Sequence, residues 1–330
     1  MVKDLKPGIV LALREAGHSP MLAPLISARP WLRLVCFLGL AALMILAGSI
    51  AVAIVFIVVP QLGERVDVAA VLPEGPRRLL EESYQGLILA MSMGLVGFGI
   101  LAAAAICWRR PMRDFLSPGR RFDLRQIVIG FGFMTAIAAL FVPVSLLWGS
   151  EWTPPILDPA YLWETRVIYA FAMTGCLLVA AAAEEVIFRG VLLRLTGFLV
   201  RQPLLVCLIN GLLFSAIHLD PDPVAFVARA SSGMIWTWAA LRLGGLEFAI
   251  GAHFAHNLFI TLVWAPLSDF FQPIRLEWVE LVPELVVMLL TLAAIEWLAR
   301  RQGKGSVSID GPKDAESQPG RARLGPEAGP

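Results

Sequence analysis

Eight stretches of the chain are apolar over a length that predicts membrane helices, and polar segments separate them. They run over about 35–59, 85–107, 127–148, 168–188, 204–219, 224–241, 246–265 and 279–298. A helix needs about 20 mostly apolar residues to cross the hydrocarbon core. The pattern predicts an all-α protein: a polytopic integral membrane bundle of about eight transmembrane helices. The fourth stretch keeps helical character past Arg189, through "GVLLRLTGFLV". The fifth and sixth are short, and "HLDPDP" between them predicts a tight turn, with Pro221 and Pro223 as breakers.

The polar segments set the orientation. Lys3, Lys6, Arg14, Arg29 and Arg33 precede the first span, six arginines stand in "WRRPMRDFLSPGRRFDLR" after the second, and "RRQGK" follows the last. Eight spans put all three clusters on one side, which the positive-inside bias makes the cytoplasm. Trp31, Trp108, Trp148, Trp264, Trp278 and Trp297 fall near predicted span ends, where indole rings favour the headgroup zone. Trp236 and Trp238 do not, and read as packing or lipid-facing residues. The first apolar run, about 25 residues long, exceeds a cleavable signal segment.

Composition agrees. The chain is 58% hydrophobic and 16% charged, against about 25% charged for a soluble protein. The net charge of +1 gives no bulk field for nucleic acid. Cys36, Cys107, Cys176 and Cys207 lie in or beside apolar runs without CxxC spacing and read as small hydrophobes. The expected organisation is a cytoplasmic leader over 1–30, N-terminal transmembrane helices with the basic loop over 31–166, a second transmembrane domain over 167–298, and a disordered cytoplasmic tail over 299–330.

Within these spans polar residues are few. They are Glu184, Glu185 and Arg189, then Asn210 and His218, then Arg229, then Glu247, His253, His256 and Asn257, and last Glu284 and Glu296. A charge at a helix centre costs about 2.5–3.5 kcal/mol on insertion scales, so such groups pair, face a cavity or carry function. Glu185 and Arg189 stand at i and i+4 and meet on one helix face. Glu184 lies about 100° round the helix and is left for another partner. His253 and Asn257 share a face in the same way, with His256 close to it. His18 belongs to the polar leader and reads as solvated.

Two explanations fit these groups: structural ion pairs and hydrogen-bonded packing histidines, or a hydrolytic site. In the second, a carboxylate takes a proton from water and a histidine holds that water. A second histidine and an amide stabilise the oxyanion. Glu184, His218 and His253 also offer donor atoms suited to a divalent metal such as zinc. There is no HExxH motif.

Three motifs stand in order on successive apolar segments: "EEVIFR" at 184–189, "FSAIH" at 214–218 and "HFAHN" at 253–257. Together they resemble the CPBP intramembrane proteases, which include the CAAX prenyl proteases and the Abi proteins. The resemblance covers about residues 168–265. It implies an all-helical bundle of about eight spans and an intramembrane endopeptidase. It assigns Glu184 and His218 to water activation, Glu185 and Arg189 to their support, and His253 and Asn257 to the oxyanion hole, and it leaves metal dependence open. The implied partners are the bilayer and a peptide or membrane-protein substrate; the compact architecture suggests a bacterial plasma membrane, and the basic clusters put both termini in the cytoplasm. Two other functions use the same residues: a non-catalytic immunity or scaffold protein, and a proton-coupled transporter with a Glu–His relay. Transporters often show repeat symmetry, and the polar cluster lies only in the C-terminal half.

Overall fold

In the computed structural model the described residues are 7–23, 25, 29–58, 74–147, 153–265 and 277–306. Lys3, Lys6, Trp148 and the tail beyond residue 306 lie outside them. Among the described residues the structure is helical, with no strand. The helices are α1 (Pro7–Gly17), α2 (Pro30–Ala53), α3 (Glu74–Trp108), the short α4 (Arg113–Leu116), α5 (Leu124–Leu147) and α6 (Trp163–Glu185). They continue with α7 (Leu193–Leu199), α8 (Pro203–Ala216), α9 (Pro223–Leu243), α10 (Glu247–Phe259) and α11 (Leu281–Ser306).

Four of these segments are long and apolar enough to cross a membrane: Pro30–Val58, Arg78–Trp108, Leu124–Pro143 and Trp278–Gln302. Their outward faces carry exposed apolar side chains such as Leu38, Leu43, Leu46 and Ile50 on α2 and Leu289 on α11. On a water-soluble protein such surfaces would be a liability, and in a bilayer they are the lipid contact. The helices holding the three motifs are shorter or more polar. At 14 residues, α8 is roughly 21 Å long, less than the hydrocarbon thickness.

Local chemistry sets the ends of the motif-bearing helices. Pro203 and Pro223 open α8 and α9, where a missing N–H costs nothing. The Asp222 side chain caps α9 by accepting from the Ala225 N–H at 2.8 Å. Beside it Asp220 pairs with Arg229. That hydrogen bond, together with one from the Asp222 N–H, holds the Asp220 carboxyl below the usual range. At the other end of α9, Gly244 takes the left-handed conformation with φ 69°, which stops the helix and turns the chain into α10.

Small residues then let the helices touch. α10 packs most extensively on α5, where a Cβ added at Gly251 would stand 2.0 Å from the Ile127 carbonyl oxygen. α8 and α9 cross at Gly211 and Gly233, where a Cβ on Gly233 would lie 2.8 Å from the Gly211 Cα. These backbone contacts seat α10 on α5 and α8 on α9.

The α9–α10 turn collects the basic segments. Arg120 from the loop after α3 holds Glu247 with two 2.7 Å hydrogen bonds, and the Asp123 N–H adds one of 3.0 Å. Arg242 reaches Glu296 of α11 at 2.8 Å and Glu15 of α1 at 2.6 Å, and the Trp238 indole donates to Glu296 at 2.9 Å. The leader, the basic loop and the last helix thus meet at one end of the bundle.

Several expectations are corrected here. The leader is not merely a polar arm: Ala16, Met21 and Leu22 are buried against the core. Residues 299–306 of the expected tail continue α11 as helix. Trp108 is buried against Phe37, with ring centroids 5.2 Å apart, so it is a packing residue despite its place at a helix end. Trp236 and Trp238 are both buried, so of the two readings offered for them packing holds and lipid contact does not.

Glu247 is fully buried, so loss of its partner has a defined consequence. Arg120→Met leaves a buried carboxylate with one backbone donor, an expected loss of about 3 kcal/mol. Thermal unfolding in detergent measures it, and an unchanged midpoint would remove the pair from the fold's energetics.

Candidate active site

Helix α6 does not end at Glu185. The chain runs through a π-helical segment, Val186–Leu192, into α7 without leaving helical backbone angles. π-Segments inside α-helices are uncommon and occur frequently at functional sites. Here the segment carries Arg189 and begins directly after the glutamate pair.

The Arg189 guanidinium is fully buried. It donates to Glu185 Oε1 at 3.0 Å and to the Gly233 carbonyl at 3.0 Å, and it lies over the Phe214 ring at 4.7 Å. The close α8–α9 crossing brings that carbonyl within reach. Glu185 Oε1 also accepts from His253 Nδ1 at 2.8 Å. Because a carboxylate only accepts, Nδ1 bears the proton and Nε2 faces away from Glu185. Nε2 lies 3.7 Å from Glu184 Oε2.

The imidazole is fixed by packing as well. Trp236 stacks parallel to it, with centroids 6.3 Å apart and planes 13° from parallel, and Phe214 meets it edge-on at 5.9 Å. An unbroken chain of contacts therefore runs Arg189–Glu185–His253–Glu184. Its first three members are buried, whereas the Glu184 side chain is 16% exposed. Asn257 follows one turn after His253 and is half-buried.

His218 is placed differently. It is exposed at the end of α8, its Nδ1 hydrogen-bonded to the Phe214 carbonyl at 2.8 Å. Its ring meets Phe214 at 5.1 Å, so the Phe214 ring contacts both imidazoles. No ion pair joins His218 to Glu184 among the described residues. The proposed metal set of Glu184, His218 and His253 is not assembled, and no group of three His, Cys, Asp or Glu side chains with metal-binding geometry occurs among the described residues.

Sequence spacing anticipated the Glu185–Arg189 pair and the common face of His253 and Asn257. It did not anticipate the Glu185–His253 bond, which joins residues 68 apart. Nor did it reveal the Gly233 carbonyl or the Trp236 ring as parts of the site. His256, a competitor of His253 in the sequence, lies within electrostatic range of Glu284 and His253 and takes neither motif glutamate.

The fold and this buried ionic chain define a helical membrane protein with its polar site between helices. Residues 166–259 match the family model described as type II CAAX prenyl endopeptidase Rce1-like, and this match supports assignment of the chain to the CPBP family. The matched segment spans all three motifs. A protein of Bacillus subtilis (strain 168), the uncharacterized protein YyaK, is 29% identical over 171 residues, 50% of this chain and 56% of that protein. The chain thus aligns with little more than half the length of this curated relative. No solved structure matches.

Proposed function

We propose that the chain is an intramembrane endopeptidase in which Glu184 removes a proton from the water that attacks a peptide carbonyl. The observation that carries this reading is the pairing of a partly accessible glutamate with a histidine whose other nitrogen is tied to a buried, arginine-held carboxylate. A structural ion pair needs only Glu185 and Arg189; the further alignment of His253 on Glu184 has the form of an oriented acid–base site.

The chemistry follows from the atoms. Water oxygen bonds to the scissile carbon as its proton passes to Glu184. The carbonyl electrons move to oxygen, and the resulting oxyanion accepts from His253 Nε2, when that nitrogen is protonated, and from the Asn257 amide. Glu184 then returns the proton to the departing amine as the C–N bond breaks. His218 has its Nδ1 proton committed to the Phe214 carbonyl, which leaves Nε2 as an acceptor for the attacking water from the other side. Glu185 and Arg189 act by fixing His253.

In this reading the eight helical segments form an eight-span bundle in a bacterial plasma membrane with both termini in the cytoplasm. The substrate is a peptide or a membrane protein. Cleavage of a membrane peptide in ¹⁸O-water tests the reaction class: the reading expects one ¹⁸O in the new C-terminal carboxyl, with neither product formed by Glu184→Gln. Identical peptide sets from wild type and variant would overturn it.

A further inference from the structure

Trp236 lies outside all three motifs, yet its ring touches the site. Helix α9 presents two groups to the ionic chain from one face, one turn apart. The Gly233 carbonyl accepts from Arg189 at 3.0 Å, and the Trp236 indole stacks on His253. Trp238, on the same helix, turns to α11 and donates its indole N–H to Glu296 at 2.9 Å. The two indoles therefore serve different neighbours.

The stack supplies a restraint that the hydrogen bond to His253 lacks. Glu185 holds the imidazole through one atom, Nδ1, at 2.8 Å. One such bond fixes the distance of that atom, and its broad acceptor geometry lets the ring swivel about the N···O line. A swivel carries Nε2, on the far side of the ring, away from Glu184. Phe214 meets the imidazole with planes 79° apart, an edge contact that limits sliding. Trp236 lies 13° from parallel to it with centroids 6.3 Å apart, inside the range over which aromatic rings attract in an offset stack. At 1% exposure the indole is itself held by the surrounding core. Its plane thus sets the plane of the imidazole, and with it the direction of Nε2, 3.7 Å from Glu184 Oε2.

We propose that Trp236 is a positioning residue of the hydrolytic site: its indole face holds the His253 ring at the tilt that directs Nε2 towards Glu184 and the oxyanion. The proposal rests on the hydrolytic reading of His253 and adds to it a residue that none of the motifs contains.

The test compares Trp236→Phe with Trp236→Leu in the full-length protein. Both replace the indole by a smaller side chain of similar bulk, so lost packing alone affects both alike. Phenylalanine keeps a flat face and leucine does not. Trp236→Leu is expected to lower kcat by about ten- to a hundredfold with KM within about twofold of wild type, the scale of a misplaced catalytic group, and Trp236→Phe to stay within about threefold. In a His253→Gln background the leucine substitution should cost no further rate, because the ring it orients is gone. A readout independent of cleavage is the His253 ring resonance in protein labelled with ¹³C- and ¹⁵N-histidine, assigned by its loss in His253→Gln. It should be sharp in wild type and Trp236→Phe, and shift or broaden in Trp236→Leu. A Trp236→Leu kcat equal to that of wild type or of Trp236→Phe, full additivity with His253→Gln, or an unmoved His253 resonance in Trp236→Leu would each overturn the proposal. Wild-type cleavage by Glu184→Gln would instead overturn the hydrolytic reading, and the resonance would still decide whether Trp236 holds the ring.

Discussion

Glu184→Gln is expected to lower peptide cleavage by about 10²–10⁴-fold, the range associated with loss of a general base. The amide keeps the shape of the side chain and removes its capacity to take a proton. Folding should survive the change. Among the described residues Glu184 makes one ionic contact, with His253 at 3.7 Å, beyond hydrogen-bond length, and its side chain is partly exposed. Thermal unfolding in detergent and turnover of a membrane peptide, measured on the same preparation, separate the two effects. Near-wild-type turnover in Glu184→Gln would remove the base from the proposal.

Arg189→Met should have the largest effect on stability, a loss of about 3–5 kcal/mol. The methionine retains much of the arginine stem but takes the cation away from the buried Glu185 carboxylate, which is left with the His253 hydrogen bond, and takes one donor from the Gly233 carbonyl, which still accepts from the Thr237 hydroxyl. Both accept from Arg189 at 3.0 Å. The double variant Glu185→Gln with Arg189→Met removes the buried charge along with its partner and should recover part of the loss. An unfolding midpoint in Arg189→Met equal to that of wild type would show that the pair contributes nothing. Activity should fall in both variants, because Glu185 is also the group that orients His253.

How far these contacts can be read from the chain depends on their separation in sequence. Glu185 and Arg189 are one turn apart, so helical geometry alone joins them. The continuation of the fourth segment past Arg189 is also legible, because "GVLLRLTGFLV" stays apolar and contains no proline. The π-helical segment has no comparable signature, since it depends on how neighbouring helices pack. His253 reaches Glu185 because α10 packs on α6 as well as on α5, a tertiary fact with no local pattern. The same holds for Glu15, Arg242 and Glu296, which join three distant parts of the chain. The apolar runs located eight helical segments, of which four among the described residues have by themselves the length and hydropathy to cross a membrane, since the site helices are short or carry the polar groups. His218 shows the limit of motif reasoning: its place in the pattern is clear, yet α8 ends in a way that leaves it exposed and out of contact with Glu184.

The central claim is that Glu184 and His253 act as one unit. A double-mutant cycle on kcat/KM with Glu184→Gln and His253→Gln examines it most directly. Residues that share a single step are strongly non-additive. The account predicts that the double variant is scarcely slower than Glu184→Gln alone. Fully additive losses, with the double variant slower by the product of the two single effects, would contradict it.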